Sequence, residues 1–260
     1  MGALAGLGVL VTRPEHQAHR LCQLIEAEGG QALRFPALAI TAVPDRAAVR
    51  AAIGPVDRYQ LVIFTSANAV RFGADLLGPR RDLRVAAVGR ATAQALNAAG
   101  HRVSVLPAGG ADSEALLAMP ELQHMTGQRV LIVRGRGGRE LLAETLAQRG
   151  AQVHYAELYD RAPARPTPEA LAELEELWRH GAIHVYTATS PDLLEALLGI
   201  VTPRCRELMD STPMLTGAER VAALAVRRGV GSPVVLAERQ EDESLVAALV
   251  RWRTTGERRP

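Results

Sequence analysis

Lysine is absent from this chain: all 30 basic residues are arginine, set against 28 acids, for a formal net charge of +2. That absence removes whole chemistries. Without lysine there is no Schiff base, no attachment of pyridoxal phosphate and no Walker-type phosphate loop. The arginines are spread along the chain, and a compositional bias of the genome explains them as well as a ligand would. Aromatic residues make up only 3%, too few for the stacking platforms that hold single-stranded nucleic acid, and no helix-turn-helix or finger spacing is visible. Nucleic acid is therefore not an expected partner. The two cysteines, Cys22 and Cys205, lie far apart and signal neither a disulfide framework nor a zinc site, so a reducing cytoplasm is the default compartment. No apolar run approaches the ~18 residues of a membrane span. The opening "MGALAGLGVLVTRPE" lacks a basic n-region and a convincing cleavage site. A cytoplasmic protein with no membrane partner is expected.

What is present is ample core and a repeat. With 48% hydrophobic residues in 260, the chain fits two α/β domains of roughly 100 to 150 residues. Self-similarity supports a duplication. "VLVTRPEHQAHRLCQLIEAEGGQAL" from Val9 resembles "VLIVRGRGGRELLAETLAQRGAQV" from Val130; each reads as strand, arginine, helix closed by glycine, and a new strand. "VIFTSANAVRFGADLL" from Val62 pairs with "HVYTATSPDLLEALL" from His184, and "VAAVGRATAQALNAAG" from Val85 with "PMLTGAERVAALAVRRG" from Pro213. "ADSEALLAM" and "EDESLVAALV" complete the match as C-terminal helices.

Strands alternating with helices predict two doubly wound parallel sheets with helices on both faces. Ligands of such sheets bind outside the carboxyl ends of the strands, where Arg13, Thr65, Gly89, Arg134, Thr187 and Gly217 fall. Two such edges facing each other would form an interdomain cleft lined by N–H groups, hydroxyls and guanidinium groups, a receptor for a polyanion. The extended segments "RFPALAITAVP" and "HYAELYDRAPARP" read as a two-stranded connector. The expected domains are thus 1–36 with 163–260, discontinuous, and 37–162, with the connector strands at its ends.

Several polar clusters have two readings. Thr65, Ser66 and Asn68, after the apolar run Leu61 to Phe64, can cap a helix or hold an anionic ligand. "GRGGRE" has Glu140 where a dinucleotide loop needs glycine, so that fingerprint fails; Gly135, Gly137 and Gly138 either permit close approach of a carboxylate or make a plain turn. His180 and His184 have Gly181 between them and no third ligand, so no metal site is expected. His16 and His19 read as solvated helix histidines, and "PEALAELEELW" as the solvated face of an amphipathic helix.

In order and spacing, "VLVTRP", "IFTSANAV", "AAVGRATAQAL", "VLIVRGRGGRELL" and "AELYDR" resemble the uroporphyrinogen-III synthase family over nearly the whole chain. The resemblance implies two α/β domains joined by a two-stranded ladder and a cofactor-independent lyase. Its reaction closes the linear tetrapyrrole hydroxymethylbilane into uroporphyrinogen III, with inversion of the last pyrrole ring, in haem biosynthesis. It further implies a monomer, with hand-over of substrate from the preceding pathway enzyme. The polycarboxylate substrate suits helix N-termini with arginine nearby, and departure of hydroxide calls for a general acid.

The resemblance assigns that acid to Tyr159 in "AELYDR". Tyr155 stays as the runner-up, because on a regular strand two residues four apart share a face. Thr65, Ser66 and Asn68 match the family's first helix-capping loop and Thr92 a hydroxyl position of the third module; Gly89, Arg13, Arg134 and Gly135 join the substrate-binding candidates from their places at strand ends and in the glycine loop. In the second copy Thr187, Ser190 and Gly217 take those places with altered spacing, and Arg220 stands where Thr92 would be, facing either a carboxylate or solvent. The rival reading is a non-catalytic two-domain anion-binding or regulatory protein on the same scaffold.

Overall fold

The computed structural model describes residues 2–78, 83–110, 112–231 and 233–256. The outermost residues of the expected domains, 1 and 257–260, and the first residue of "ADSEALLAM" lie outside the described residues. In chain order the first elements are β1 (Gly8–Val11), α1 (Glu15–Ala27), β2 (Gln31–Arg34), β3 (Leu38–Ala42), α2 (Arg46–Ile53), β4 (Leu61–Phe64), α3 (Ala67–Gly73), β5 (Arg84–Ala87), α4 (Arg90–Ala98) and α5 (Ser113–Leu117). There follow β6 (Arg129–Gly135), α6 (Leu141–Gln148), β7 (Gln152–Pro163), α7 (Pro168–Arg179), β8 (Val185–Thr187) and α8 (Pro191–Ile200). The last are α9 (Pro203–Ser211), β9 (Met214–Thr216), α10 (Glu219–Arg227), β10 (Val234–Leu236) and α11 (Asp242–Thr255). Contacts divide the chain into two units, Met1–Ala39 with Ala162–Pro260, and Ile40–Arg161.

The first unit holds a sheet of order β10-β9-β8-β1-β2, parallel at each junction. Its strands are short, and both faces are covered: Val9, Val11, Val185 and Leu215 pack with residues of α1 and α11, while Leu10, Tyr186 and Met214 pack on the other side with residues of α8, α9 and α10. Such two-sided burial explains why "GVLV" reads as a continuous apolar run rather than an alternating one. Helices α7, α8 and α9 each begin with a hydroxyl cap followed by proline: Thr167, Ser190 and Thr202 accept the N–H of the third residue on. Proline fits there because its missing N–H would be an orphan anyway.

The second unit has the order β3-β7-β6-β4-β5. The inner pairs are parallel, as in Leu61↔Arg84 and Leu61↔Val130. β3 runs antiparallel to β7, since Val43 N–H donates to Leu158 O and Ala164 N–H to Ala37 O, one index falling as the other rises. Val62, Phe64, Leu131 and Val133 face one core; Leu61, Ile63, Val130 and Ile132 face the other, with Leu142 and Leu146 of α6.

One expectation about β7 fails. Its pairing with β6 shifts between Arg134 and Gly135, so Arg134 faces Glu157 but Gly135 faces Tyr159. The extra residue, Leu158, reverses the alternation beyond it. Tyr155 therefore packs against the core of α5 and α6, whereas Tyr159 packs with Ala156 and Leu158 in the core of α3 and α4. The two tyrosines lie on opposite faces, because β7 is bulged and not regular.

Candidate functional site

In the second unit the strand order reverses between β4 and β6, and open α/β sheets bind ligands at such a reversal, outside the carboxyl ends. A cavity of about 210 Å³ lies there, lined by Thr65 and Ser66 after β4, Arg134 and Gly135 at the end of β6, Tyr155, Tyr159 and Arg161 of β7, and by Ser113, Ile132, Gly138, Arg139 and Leu142. Both tyrosines line it, although the bulge sets them on opposite faces of β7.

Tyr159 is 3% exposed. Its ring stacks on Phe72 at 5.4 Å with 22° between planes, and its Oη lies 2.9 Å from Ser66 Oγ. Gly135 packs under the same ring: a Cβ at that position would come within 2.6 Å of Tyr159 Cε2. The glycine is thus required by the tyrosine, whatever a ligand asks of it. Ser66 is the N-cap of α3, accepting from Ala69 N–H at 3.0 Å, and Thr65 Oγ1 donates to Val133 O at 3.3 Å.

Arg134 is engaged on every side. Nε donates to Glu157 Oε1 at 3.0 Å, Nη2 to Glu140 Oε1 at 2.7 Å, and Nη1 to the Arg139 carbonyl at 3.3 Å, while its Cζ sits 3.9 Å from the Tyr155 ring centroid. Tyr155 Oη in turn donates to Glu140. Burial and that carboxylate push the Tyr155 phenol up to about 12. The Tyr155 hydroxyl and Arg134 hold the Glu140 carboxyl below its usual range. Glu140, Glu157 and Phe72 contact the candidate site residues and are absent from the candidates of the sequence reading. Glu140 enters the sequence reading only as the residue that spoils a glycine fingerprint, and Glu157 lies inside "AELYDR", so both carry a signal; Phe72 carries none.

The remaining residues are arranged as follows. Asn68 is buried on α3, and Thr92 is buried on α4 with Gly89 as the N-cap of that helix; none of the three lines the cavity. In the first unit, Arg13 Nη1 pairs with Asp242, Nε donates to Thr189 Oγ1 at 3.3 Å and Nη2 to Gln240 O at 3.2 Å. Thr187 is fully buried; its Oγ1 accepts from Thr12 N–H at 3.1 Å, and its carbonyl accepts from the Thr12 hydroxyl. Ser190 caps α8, accepting from Leu193 N–H at 3.2 Å. Gly217 is held by a close approach, since a Cβ there would lie 2.2 Å from Arg239 O. Arg220 is exposed near the start of α10. His184 Nδ1 accepts from Gly8 N–H at 2.9 Å, and His180 sits exposed beside Glu176. Among the described residues no three His, Cys, Asp or Glu side chains gather as metal ligands would, and no helix is long and apolar enough to cross a membrane.

Comparison with known proteins gives one consistent result. The family model described as uroporphyrinogen-III synthase HemD matches residues 19–247. The uroporphyrinogen-III synthase of Salmonella typhimurium strain LT2 is 32% identical over 249 residues, spanning 94% of this chain and 100% of that protein. The enzyme of that name from Escherichia coli strain K12 is 32% identical over 252 residues, with the same coverage. The fold is shared with a crystal structure of a mutant uroporphyrinogen III synthase from the extremely thermophilic bacterium Thermus thermophilus, at a TM-score of 0.61 and 23% identity over 96% of this chain and 100% of that one. The chain, matched in sequence and fold over nearly all its length, belongs to the uroporphyrinogen-III synthase family.

Proposed function

We propose that Tyr159 is the general acid of the cyclisation, and that the strand ends named above bind and brace the substrate. As a uroporphyrinogen-III synthase the chain acts on hydroxymethylbilane, closing it to a tetrapyrrole macrocycle; the family match gives no support to a non-catalytic anion-binding role. The finer reading is that closure inverts the last pyrrole ring. Hydroxide is a poor leaving group, so a proton must reach the terminal hydroxymethyl oxygen as the C–O bond breaks. The electron-rich pyrroles then need orientation more than activation, a sequence of steps that asks for no cofactor.

The observation that carries this reading is the Tyr159 hydroxyl, fixed by Ser66, Phe72 and Gly135 at the wall of a pocket at the strand-order reversal. Tyr155 lines the same pocket, but its proton is directed at Glu140 and its phenol is pushed to about 12. An acid far from the working pH is a poor donor. Thr65, Gly89, Ser190 and Gly217 mark strand ends where backbone N–H groups meet carboxylates. Asn68, Thr92, Thr187 and Arg220 stand beside those ends, and Arg13 and Arg134, already engaged, brace them. The proposal includes the duplication, supported by the matching strand–helix modules, and the paired strands β3 and β7 as the connector between a discontinuous domain and an inserted one. It also includes a monomer in the cytoplasm that takes its substrate from the preceding pathway enzyme.

Purified protein incubated with fresh hydroxymethylbilane, followed by isomer analysis, tests the reading. The inverted isomer should form faster than spontaneous closure. A product consisting of the non-inverted isomer alone, at the uncatalysed rate, would overturn it.

A further inference from the structure

Ser66 occupies an unusual position for a helix cap, because its hydroxyl serves two partners. A serine hydroxyl has one proton and two lone pairs. One lone pair takes the Ala69 N–H at 3.0 Å. That leaves one lone pair and the proton for the Tyr159 Oη, 2.9 Å away, and among the described residues the Ser66 hydroxyl has no other partner. While Tyr159 is a phenol, the bond can run in either direction. Once Tyr159 has lost its proton, only one direction remains: Ser66 donates.

The ring has little freedom to escape that partner. Phe72 covers one side, Gly135 lies against the ring edge closely enough that a methyl would collide, and the Tyr159 carbonyl is fixed by the Arg136 N–H at 2.9 Å. The oxygen is therefore presented to Ser66 before substrate arrives, the condition under which a hydrogen bond to developing charge contributes most.

We propose that Ser66 is a positioning residue for the cyclisation, acting through Tyr159: it donates its hydroxyl proton to the Tyr159 oxygen as that oxygen becomes a phenolate. The inference rests on Tyr159 being the acid. The Tyr159 proton passes to the leaving hydroxymethyl oxygen, the C–O electron pair departs with it as water, and the cation stays on the substrate. The negative charge stays on Tyr159 Oη, held by Ser66. After ring closure the attacked pyrrole carbon gives up a proton to restore aromaticity, and that proton returns to Oη. The net change is the loss of one water. Ser66 is thereby reassigned from substrate carboxylates to the acid itself.

Ser66→Gly separates this role from the helix cap, because glycine is tolerated at an N-cap. Ser66→Thr keeps the hydroxyl and serves as the rescue. Hydrogen bonds to charged groups are the strong ones, so kcat of Ser66→Gly should fall by ~10- to 100-fold with KM for hydroxymethylbilane nearly constant. Ser66→Thr should restore kcat. Combined with Tyr159→Phe, the Ser66→Gly change should have no further effect. A large loss in Tyr159→Phe alongside a normal Ser66→Gly enzyme would overturn the inference and leave the acid assignment standing. Normal activity in both variants would remove the acid assignment itself. Equal losses from Ser66→Gly with and without Tyr159, or a loss expressed in KM, would mean that Ser66 touches the substrate directly, and would also overturn it.

Discussion

The two units place an arginine at the same point of the same scaffold and surround it differently. Arg13 follows β1 and Arg134 ends β6, each where the strand order reverses. Around Arg13 the junction is cross-linked: Thr12 and Thr187 bond to each other in full burial, and the guanidinium is tied to Asp242, Gln240 and Thr189. Around Arg134 the same kind of brace uses Glu140 and Glu157, and a pocket remains. By strand register, Arg34 stands opposite β1 where Tyr155 stands opposite β6. The comparison teaches that an arginine brace stands at the strand-order reversal of both units, whereas the second unit also sets the tyrosine hydroxyls of β7 at the pocket beside it.

The sharpest way to break that contrast is to remove the hydroxyl. Tyr159→Phe should lower kcat by ~10²- to 10⁴-fold, the range of a positioned general acid, with product affinity nearly unchanged. The phenylalanine still stacks on Phe72 and still rests on Gly135, so the fold should be kept. Tyr155→Phe should cost much less. Stopped-time assays with isomer analysis would show it, because Tyr159→Phe should also shift product toward the non-inverted isomer as spontaneous closure competes. If Tyr155→Phe loses more than Tyr159→Phe, the acid is on the other face of β7.

Much of this contrast was legible in the sequence, and the illegible part has a specific cause. The apolar runs at Val9, Leu61 and Val130 had to be buried strands, because three or four consecutive apolar residues bounded by Arg or Thr suit a sheet covered on both faces. The strand-end residues followed from the alternation with helices. The facing of the two tyrosines did not, because nothing in "YAELY" announces that Leu158 is an extra residue; the bulge arises from how β7 meets the end of β6. Nor could the arginines be seen as already engaged: Asp242 lies 229 residues from Arg13, and only the fold brings the two together. A polar residue at a strand end can serve ligand or scaffold, and composition cannot separate the two.

Stability offers a second way to sharpen the comparison. Arg13 and Asp242 are 13% and 14% exposed, so Arg13→Met would strand a carboxylate away from water, at a cost of about 3 kcal/mol. Arg134 is itself 8% exposed, but its partners Glu140 and Glu157 are 51% and 34% exposed, and solvent can take over from the lost guanidinium. Arg134→Met should therefore unfold at a urea concentration closer to wild type than Arg13→Met does, while altering the pocket more. Urea titration of both variants tests this. Equal or reversed midpoints would mean that exposure of the partner carboxylates does not set the strength of the two braces.

The smallest expected effect concerns Tyr155; at the same register position of the first unit stands Arg34, which has no phenol to titrate. Burial first and the Glu140 carboxylate second raise the Tyr155 phenol from its ordinary value of about 10 to about 12. A raised folded value means that this phenol's contribution to stability is fully present below about 10 and is lost as pH rises through about 12. Glu140 has the opposite sign: its lowered carboxyl contributes above the ordinary range of about 4.3 and ceases to contribute as pH falls through its folded value. Glu140→Gln removes the charge but keeps a hydrogen-bond acceptor, so the Tyr155 phenol should titrate earlier in that variant. Ultraviolet titration of wild type and Glu140→Gln, each corrected by its Tyr155→Phe version, isolates the one phenol among four. A Tyr155 curve that does not move would assign the whole shift to burial, and Glu140 would then serve Arg134 alone.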